Sequence, residues 1–387
     1  MRKYIEKQIF VIPILVWALL CMSEWYMWID TPYSYFFIRG INKPNMNYET
    51  TTLGDLVYFT PANSVYITPI PRKSRIITDK YGVRNSKFYD ESDIVIIGDS
   101  FAAGAGCSHE DIPAVQLSNI SRKRAINFSG ERTYLSTMTP YERIAYMIKY
   151  NKPIASNVFV HIIHDFELLE APYNYYPDKK INKIVNGDFV YREKRFIERF
   201  SDFKKNINDY SPITIISRKI KTKILTVAAK LFHKLGLYNI DDKVKLHLNG
   251  NVYGFNKIPA RSLNYSIEDK KFKQISKSLE SLHLLARKNG YVFLPVIIPR
   301  KAVAYNKYSS DTVKISGYGH AQVLIDWLEK RDIPFVFSHP ELFAAVDEEI
   351  LHGGQSVYWG DDSHWAPYGI NIVMRLIADK LQEMNAL

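Results

Sequence analysis

The chain has 387 residues, 47% of them hydrophobic and 14% aromatic, which is enough for a folded protein with a sizeable core and one large domain plus an appendage, or two modest domains. Its net charge of +11 and pI near 9.2 suit an acidic partner such as anionic lipid or an acidic polymer. No zinc-finger spacing, RNP-like aromatic pattern or Walker loop accompanies that charge, which argues against nucleic acid. Of the two cysteines, Cys21 lies inside an apolar segment and Cys107 far from it, so the fold is expected to stand without a disulfide.

The N-terminus carries Arg2, Lys3 and Lys7, then runs without charge from Ile9 to Met22. Counted on to Ile29, with Glu24 as its single acid, the apolar segment approaches the ~20 residues a bilayer requires. Basic residues before it, acids after it, and Trp25, Tyr26 and Trp28 at its outer end predict an uncleaved signal anchor over residues 9–29, with a short tail (1–8) inside and the remainder outside. A cleaved signal peptide is the rival reading, but no Ala-x-Ala-like site follows the apolar core. Residues 30–90 read as an extended lead-in with short strands such as Ser64 to Thr68.

From residue 94 the pattern becomes regular. Apolar strand candidates at Ile94–Ile97, Ala125–Phe128, Asn157–Ile163, Tyr291–Ile298 and Pro334–Ser338 alternate with helical patterns. The helices fall at Ile112–Ser121, Tyr141–Lys149, Ile267–Lys288, Gly319–Lys330 and Pro367 to about Met384. Short buried strands separated by amphipathic helices predict an α/β fold, a doubly wound parallel sheet of about five strands. Residues 170 to about 265 break the rhythm and read as an insertion. Within it, Ser217 to Leu235 is a basic amphipathic helix candidate, most simply packed on the core with a solvated lysine face. A membrane surface or an anionic glycan are the alternatives for that face.

Two stretches carry chemistry. In D-I-V-I-I-G-D-S-F-A-A-G-A-G, residues 93–106, a continuous apolar strand ends at Gly98, presents Asp99 and Ser100, and passes into a small-residue turn. Open α/β sheets put their chemistry at such carboxyl ends, and a sharp elbow exposes a pre-aimed hydroxyl, so Ser100 is a candidate nucleophile. A serine capping the next helix would look the same. In Y-W-G-D-D-S-H-W-A-P-Y-G, residues 358–369, His364 follows Asp361 and Asp362 by three and two positions. A carboxylate on one imidazole nitrogen fixes the tautomer and leaves the other nitrogen to deprotonate a serine.

Together these stretches resemble the SGNH (GDSL-type) hydrolases over residues from about 75 to 387, the insertion excepted. Tyr81-Gly82-Val83-Arg84, Pro299-Arg300-Lys301 and Asp362-Ser363-His364-Trp365 are similar to a membrane-anchored bacterial branch that includes the alginate O-acetylation proteins. The resemblance implies an SGNH catalytic domain over 91–387 with a flavodoxin-like sheet. It makes Ser100 the nucleophile, with its own N–H in the oxyanion hole, and Gly130, after the second strand, a further donor. The family's third block, Gly-x-Asn-Asp, is not matched by H-I-I-H-D-F-E at 161–167. His164 takes the asparagine position if Asp165 is the family's aspartate, and a histidine can still donate to an oxyanion. The triad acid is Asp361 by the general family spacing and Asp362 by the Asp-x-His-Trp branch. Trp365 favours Asp362, and the other acid is expected to cap the final helix.

The activity so implied is ester hydrolysis or O-acyl transfer, chiefly O-acetyl, on an envelope or extracellular polysaccharide through an acyl-serine, with no cofactor or metal. The implied setting is a bacterial inner membrane with the catalytic domain in the periplasm or outside, beside a multi-spanning membrane acyltransferase as partner. The reading from another class is a non-catalytic, membrane-tethered glycan-binding or assembly protein on the same scaffold, for which the absent third-block asparagine speaks.

Overall fold

A computed structural model describes residues 45–52, 54, 70–80, 82–86, 91–129, 139–150, 155–164, 183–184, 243–248, 251–256, 270–308, 318 and 320–387. The expected anchor at 9–29, the strand at 64–68, the basic helix at 217–235, Gly130 and Asp165 lie outside the described residues. Among the described residues no helix is long and apolar enough to cross a membrane.

The chain order is β1 (Asn47–Thr52), β2 (Arg72–Ile77), β3 (Glu91–Ile97), α1 (Pro113–Ser121), β4 (Ala125–Asn127), α2 (Pro140–Tyr150), β5 (Ala155–His164), β6 (Lys243–Leu248) and β7 (Asn251–Asn256). It continues with α3 (Lys270–Lys288), β8 (Val292–Ile298), α4 (Lys301–Ala304), α5 (His320–Glu329), β9 (Val336–Phe337), α6 (His339–His352) and α7 (Pro367–Glu383). Five strands form one sheet in the order β4-β3-β5-β8-β9, and every pair in it is parallel. The fold is therefore α/β, and the order is compatible with a flavodoxin-like doubly wound sheet. All five strand candidates of the core fall on observed strands.

Strands in such a sheet are apolar on both faces because helices cover both. In β3, Ile94 and Ile96 point to one side, packing with Ala114 and Leu117 of α1, Leu342 and Val346 of α6, and Ile370, Val373 and Ile377 of α7. Val95 and Ile97 point to the other, with Ile144 and Ile148 of α2, Leu279 and Leu282 of α3, and Leu324 and Leu328 of α5. All four β3 side chains are fully buried. Truncating one to alanine would cost about 2–5 kcal/mol.

Several elements depart from the sequence expectation. Helix α6 occupies residues between the fifth strand and the last helix, where no helix was expected; Pro340 opens it and Gly353, at φ 71°, closes it. Strands β6 and β7 pair antiparallel inside the insertion. Strands β1 and β2 form an antiparallel ribbon from the lead-in, with Asn47 opposite Ile77 and Thr52 opposite Arg72. The buried positions of β2 are Arg72 and Ser74, so the ribbon buries polar side chains and carries no apolar alternation to betray it.

Parallel order reverses between β3 and β5, the two strands that flank the topological switch point. The crevice outside their carboxyl ends is where doubly wound sheets bind ligands. Ser100 follows the end of β3 and His164 ends β5.

Candidate active site

The turn after β3 begins at Gly98. A Cβ on Gly98 would come 2.6 Å from Ala102 Cβ and 2.7 Å from the Ile162 carbonyl oxygen, so only glycine lets the chain fold back this tightly against β5. Ser100 does not cap a helix. Residues 99–107 form successive turns, with Ala103 N–H bonded to Asp99 O and Ala105 N–H to Ser100 O, and α1 starts only at Pro113. Asp99 Oδ1 accepts the Phe101 N–H at 2.8 Å, which stiffens the turn locally and leaves the serine hydroxyl exposed.

The second element is the loop 358–366. Tyr358 and Trp365 form an antiparallel bridge, the Trp359 N–H donates to His364 O, and the Ala366 N–H donates to Val357 O. The loop is held from below by Lys301, a buried ammonium whose Nζ donates to the carbonyls of Trp359, Gly360 and Asp362 at 2.6, 2.9 and 3.1 Å. The Tyr358 hydroxyl donates to Pro299 O. The Pro-Arg-Lys stretch after β8 thus fixes the loop that carries the histidine. Trp365 is fully buried, and its Nε1–H donates to Phe101 O at 3.2 Å, joining this loop to the serine turn.

The two elements bring together residues 264 positions apart. His364 Nε2 lies 2.7 Å from Ser100 Oγ, and His364 Nδ1 lies 2.7 Å from Asp362 Oδ1. The same Asp362 oxygen accepts the His364 backbone N–H at 3.0 Å, so the acid grips both ring and main chain. Exposure falls along the chain of groups: the serine is exposed, the histidine half-buried, and Asp362 buried. A dry carboxylate behind a half-dry imidazole behind a wet hydroxyl is the order in which a proton can be drawn inward from a serine open to a substrate.

Asp361 is elsewhere. Its carboxylate accepts the backbone N–H groups of Gly54 and Ile70, each at 2.9 Å, and pairs with the Arg72 guanidinium. The expectation that the second acid caps the final helix is corrected by this: the residue at the cap of α7 is Ala366, with no side-chain bond, and Asp361 instead binds the polar ribbon of the lead-in. A fully buried carboxylate needs several donors, and three are supplied here.

His164 Nε2 pairs with Asp99 Oδ2 at 2.7 Å, so that nitrogen is committed to a carboxylate one residue before Ser100. Burial alone would raise the Asp99 carboxyl. The charge and hydrogen bond of His164 outweigh it, aided by the Phe101 N–H and by the charge of His364, and hold the group below its ordinary range. The Phe101 ring sits between the two histidines, with centroids 5.4 Å from His164 and 4.9 Å from His364.

The stretch before β3 also has a place. Arg84 donates to Gly104 O at 2.7 Å and to Cys107 O at 2.8 Å, pinning the serine turn from outside. Asn85 donates to Asn127 O and accepts the Asn127 N–H, and Asp79 in turn accepts from Asn85 Nδ2, so this stretch clamps the end of β4 next to Ser129. Cys107 is a free buried thiol, pushed up to about 12 by burial, which removes it from nucleophilic chemistry. Among the described residues no group of acids, histidines and cysteines is placed to hold a metal ion.

Sequence reasoning missed Arg72, Asp99 as the partner of His164, and the use of Lys301. Lys301 carried a signal, since it stood in a stretch already singled out. Arg72 carried none, because its partners lie about 290 residues away.

No protein-family model matches the chain, and no curated protein matches it. A solved crystal structure aligns over 76% of this chain and 97% of that chain at 11% identity with a TM-score of 0.33, a likeness that carries no argument about fold or function.

Proposed function

We propose that this chain is a serine-dependent esterase or O-acyltransferase of the SGNH type, acting through an acyl-serine on an acylated polysaccharide of the cell envelope or exterior. The observation that carries the reading is the run Ser100 Oγ, His364 Nε2, His364 Nδ1, Asp362 Oδ1, with 2.7 Å at each of its two hydrogen bonds. That order of groups has the chemistry of a nucleophile, a general base and its orienting acid.

His364 takes the Ser100 proton on Nε2 as Ser100 Oγ bonds to the ester carbonyl carbon. Negative charge moves to the carbonyl oxygen, where the Ser100 backbone N–H is the donor nearest in the chain, and by family resemblance Gly130 is another. Collapse breaks the carbon–oxygen bond to the leaving alcohol, which receives the proton from the His364 imidazolium. Water or a sugar hydroxyl then gives its proton to His364 and attacks the acyl carbon, and the bond to Ser100 Oγ breaks as Ser100 takes the proton back from His364. Both outcomes use the same residues and differ in whether the acceptor site keeps water out. The basic surplus and the 27 tyrosines favour an acidic, ring-stacking glycan over a lipid ester. The charge pattern of residues 1–29 supports a single-pass anchor with the catalytic domain outside, and the family resemblance adds a bacterial inner membrane and a multi-spanning acyltransferase as the acyl source.

The test supplies 4-nitrophenyl acetate with and without a polysaccharide acceptor to the full-length protein and to Ser100→Ala. Ser100-dependent acetate release supports the reading, and diversion of acetyl to the glycan identifies a transferase. Turnover that survives in Ser100→Ala contradicts it.

A further inference from the structure

The triad acid is shared. Asp362 Oδ1 faces His364, but its other oxygen, Oδ2, accepts from Arg72 Nη2 at 3.1 Å, and Arg72 Nη1 reaches Asp361. One planar guanidinium therefore bridges two successive carboxylates, with side-chain exposures of 7%, 0% and 5% for Arg72, Asp361 and Asp362. We infer that Arg72, although it lies on ribbon strand β2 outside the core sheet, is a positioning residue for the triad: it sets the plane of Asp362 and neutralises the acid pair behind His364. This inference rests on the proposed serine chemistry at that site.

The arrangement is built from several sides. The Trp359 ring lies under the guanidinium, 4.5 Å from ring centroid to Arg72 Cζ. Gly106 packs against the same group, where a Cβ would come 3.2 Å from Asp362 Oδ2 and 3.8 Å from both Arg72 Nη2 and Trp359 Cδ1. Gly54 and Ile70 donate to Asp361 from the residues next to the ribbon, which fixes the carboxylate that in turn orients the arginine. A Cβ on Gly54 would overlap the Asp361 carbonyl, so the ribbon approaches this loop as closely as backbone allows. A lysine could supply the charge but not the two-pronged fork.

The electrostatic consequence can be read at His364. Among the described residues, the charged and titratable groups around it include Asp362 and Ser100 in direct contact, Arg72 and Asp361 behind the acid, the Lys301 ammonium beneath the loop, and the Asp99–His164 pair beside the Phe101 ring. Removing the Arg72 cation leaves two buried carboxylates facing the ring with less positive charge to balance them, which favours imidazolium. Loss of a purely structural bond would leave that equilibrium where it was.

The experiment uses full-length Arg72→Met and Arg72→Lys with 4-nitrophenyl acetate, together with the titration of the His364 ring followed by ¹⁵N-histidine resonances. In Arg72→Met, kcat is expected to fall by about a hundredfold with KM little changed, and both the acid limb of the kcat/KM profile and the His364 titration move to higher pH. Arg72→Lys, which keeps the charge and guards against loss of folding, is expected to hold the wild-type midpoint while kcat falls about tenfold. An unmoved His364 midpoint in folded Arg72→Met, or an unchanged kcat in both variants, overturns the inference. If the wild type shows no Ser100-dependent turnover, the serine reading fails on its own, and the ring titration still decides the role of Arg72.

Discussion

The indole of Trp365 donates its N–H to the carbonyl oxygen of Phe101, and this bond helps to join the turn that follows the serine strand to the loop that carries the histidine. Its ring also packs edge-on against Phe101 with centroids 5.7 Å apart. The Ser100–His364 contact is therefore supported by a bond made by neither residue. Trp365→Phe keeps an aromatic ring and removes the donor. It is expected to cost about 1–3 kcal/mol of stability and to lower kcat/KM about tenfold or more, because the two halves of the site lose their register. A thermal melt and steady-state kinetics check both numbers, and a wild-type kcat/KM would disconnect the indole from the site.

Asp361 and Asp362 are neighbours with different jobs, and their asparagine variants separate them. Asp362→Asn preserves shape but presents an amide to His364 Nδ1, disfavouring the tautomer that accepts the serine proton, so kcat is expected to fall by about 10³–10⁴, with a stability loss as well because the buried Arg72 loses one of its two anions. Asp361→Asn leaves the buried Arg72 with one fewer anion. Its expected signature is a stability loss of about 3–5 kcal/mol, with a much smaller drop in kcat at a temperature where the protein is folded. Chemical denaturation beside active-site-corrected kcat measures the contrast. The reverse pattern would make Asp361 the triad acid.

How much of this was legible varies with distance along the chain. Strands β3, β5 and β8 are built on apolar runs, and Gly98-Asp99-Ser100 and Asp362-Ser363-His364-Trp365 are local groupings, so each could be read from neighbouring residues. The choice between Asp361 and Asp362 could not, since both stand at workable spacings and only the ribbon that binds Asp361 separates them. The ribbon itself was hidden because its buried positions include Arg72 and Ser74, which look like surface residues in sequence. Helix α6 is legible in principle from Pro340, from the spacing of Leu342, Ala345, Val346 and Glu349, and from the closing Gly353. His164 is notable for its place at the end of β5, but its bond to Asp99 joins that strand to the turn after β3 and leaves no local trace.

Acid should destabilise the protein through two buried histidines. His161 on β5 and His339 at the start of α6 are both fully buried, and burial pushes each down to about 3. Unfolded, each titrates near its ordinary value of about 6.5. Above that pH both states are neutral and the histidines contribute nothing to the pH dependence. As pH falls from about 6.5 toward 3, the unfolded state takes up protons that the folded state refuses, so stability is lost on the order of 1 kcal/mol per pH unit for each histidine. Urea unfolding at pH 7 and pH 5 should show the decline, and His161→Phe should reduce its slope. A slope unchanged by that substitution would contradict the assignment of His161 as a buried neutral ring.

The central claim is that Ser100 is a nucleophile armed by His364. Labelling the full-length protein with a serine-directed fluorophosphonate probe tests it most directly, because the probe needs an activated hydroxyl and no knowledge of the substrate. The account predicts covalent labelling at Ser100 that disappears in Ser100→Ala and in His364→Ala. Folded wild-type protein that takes up no probe, or labelling that persists in Ser100→Ala, would contradict it.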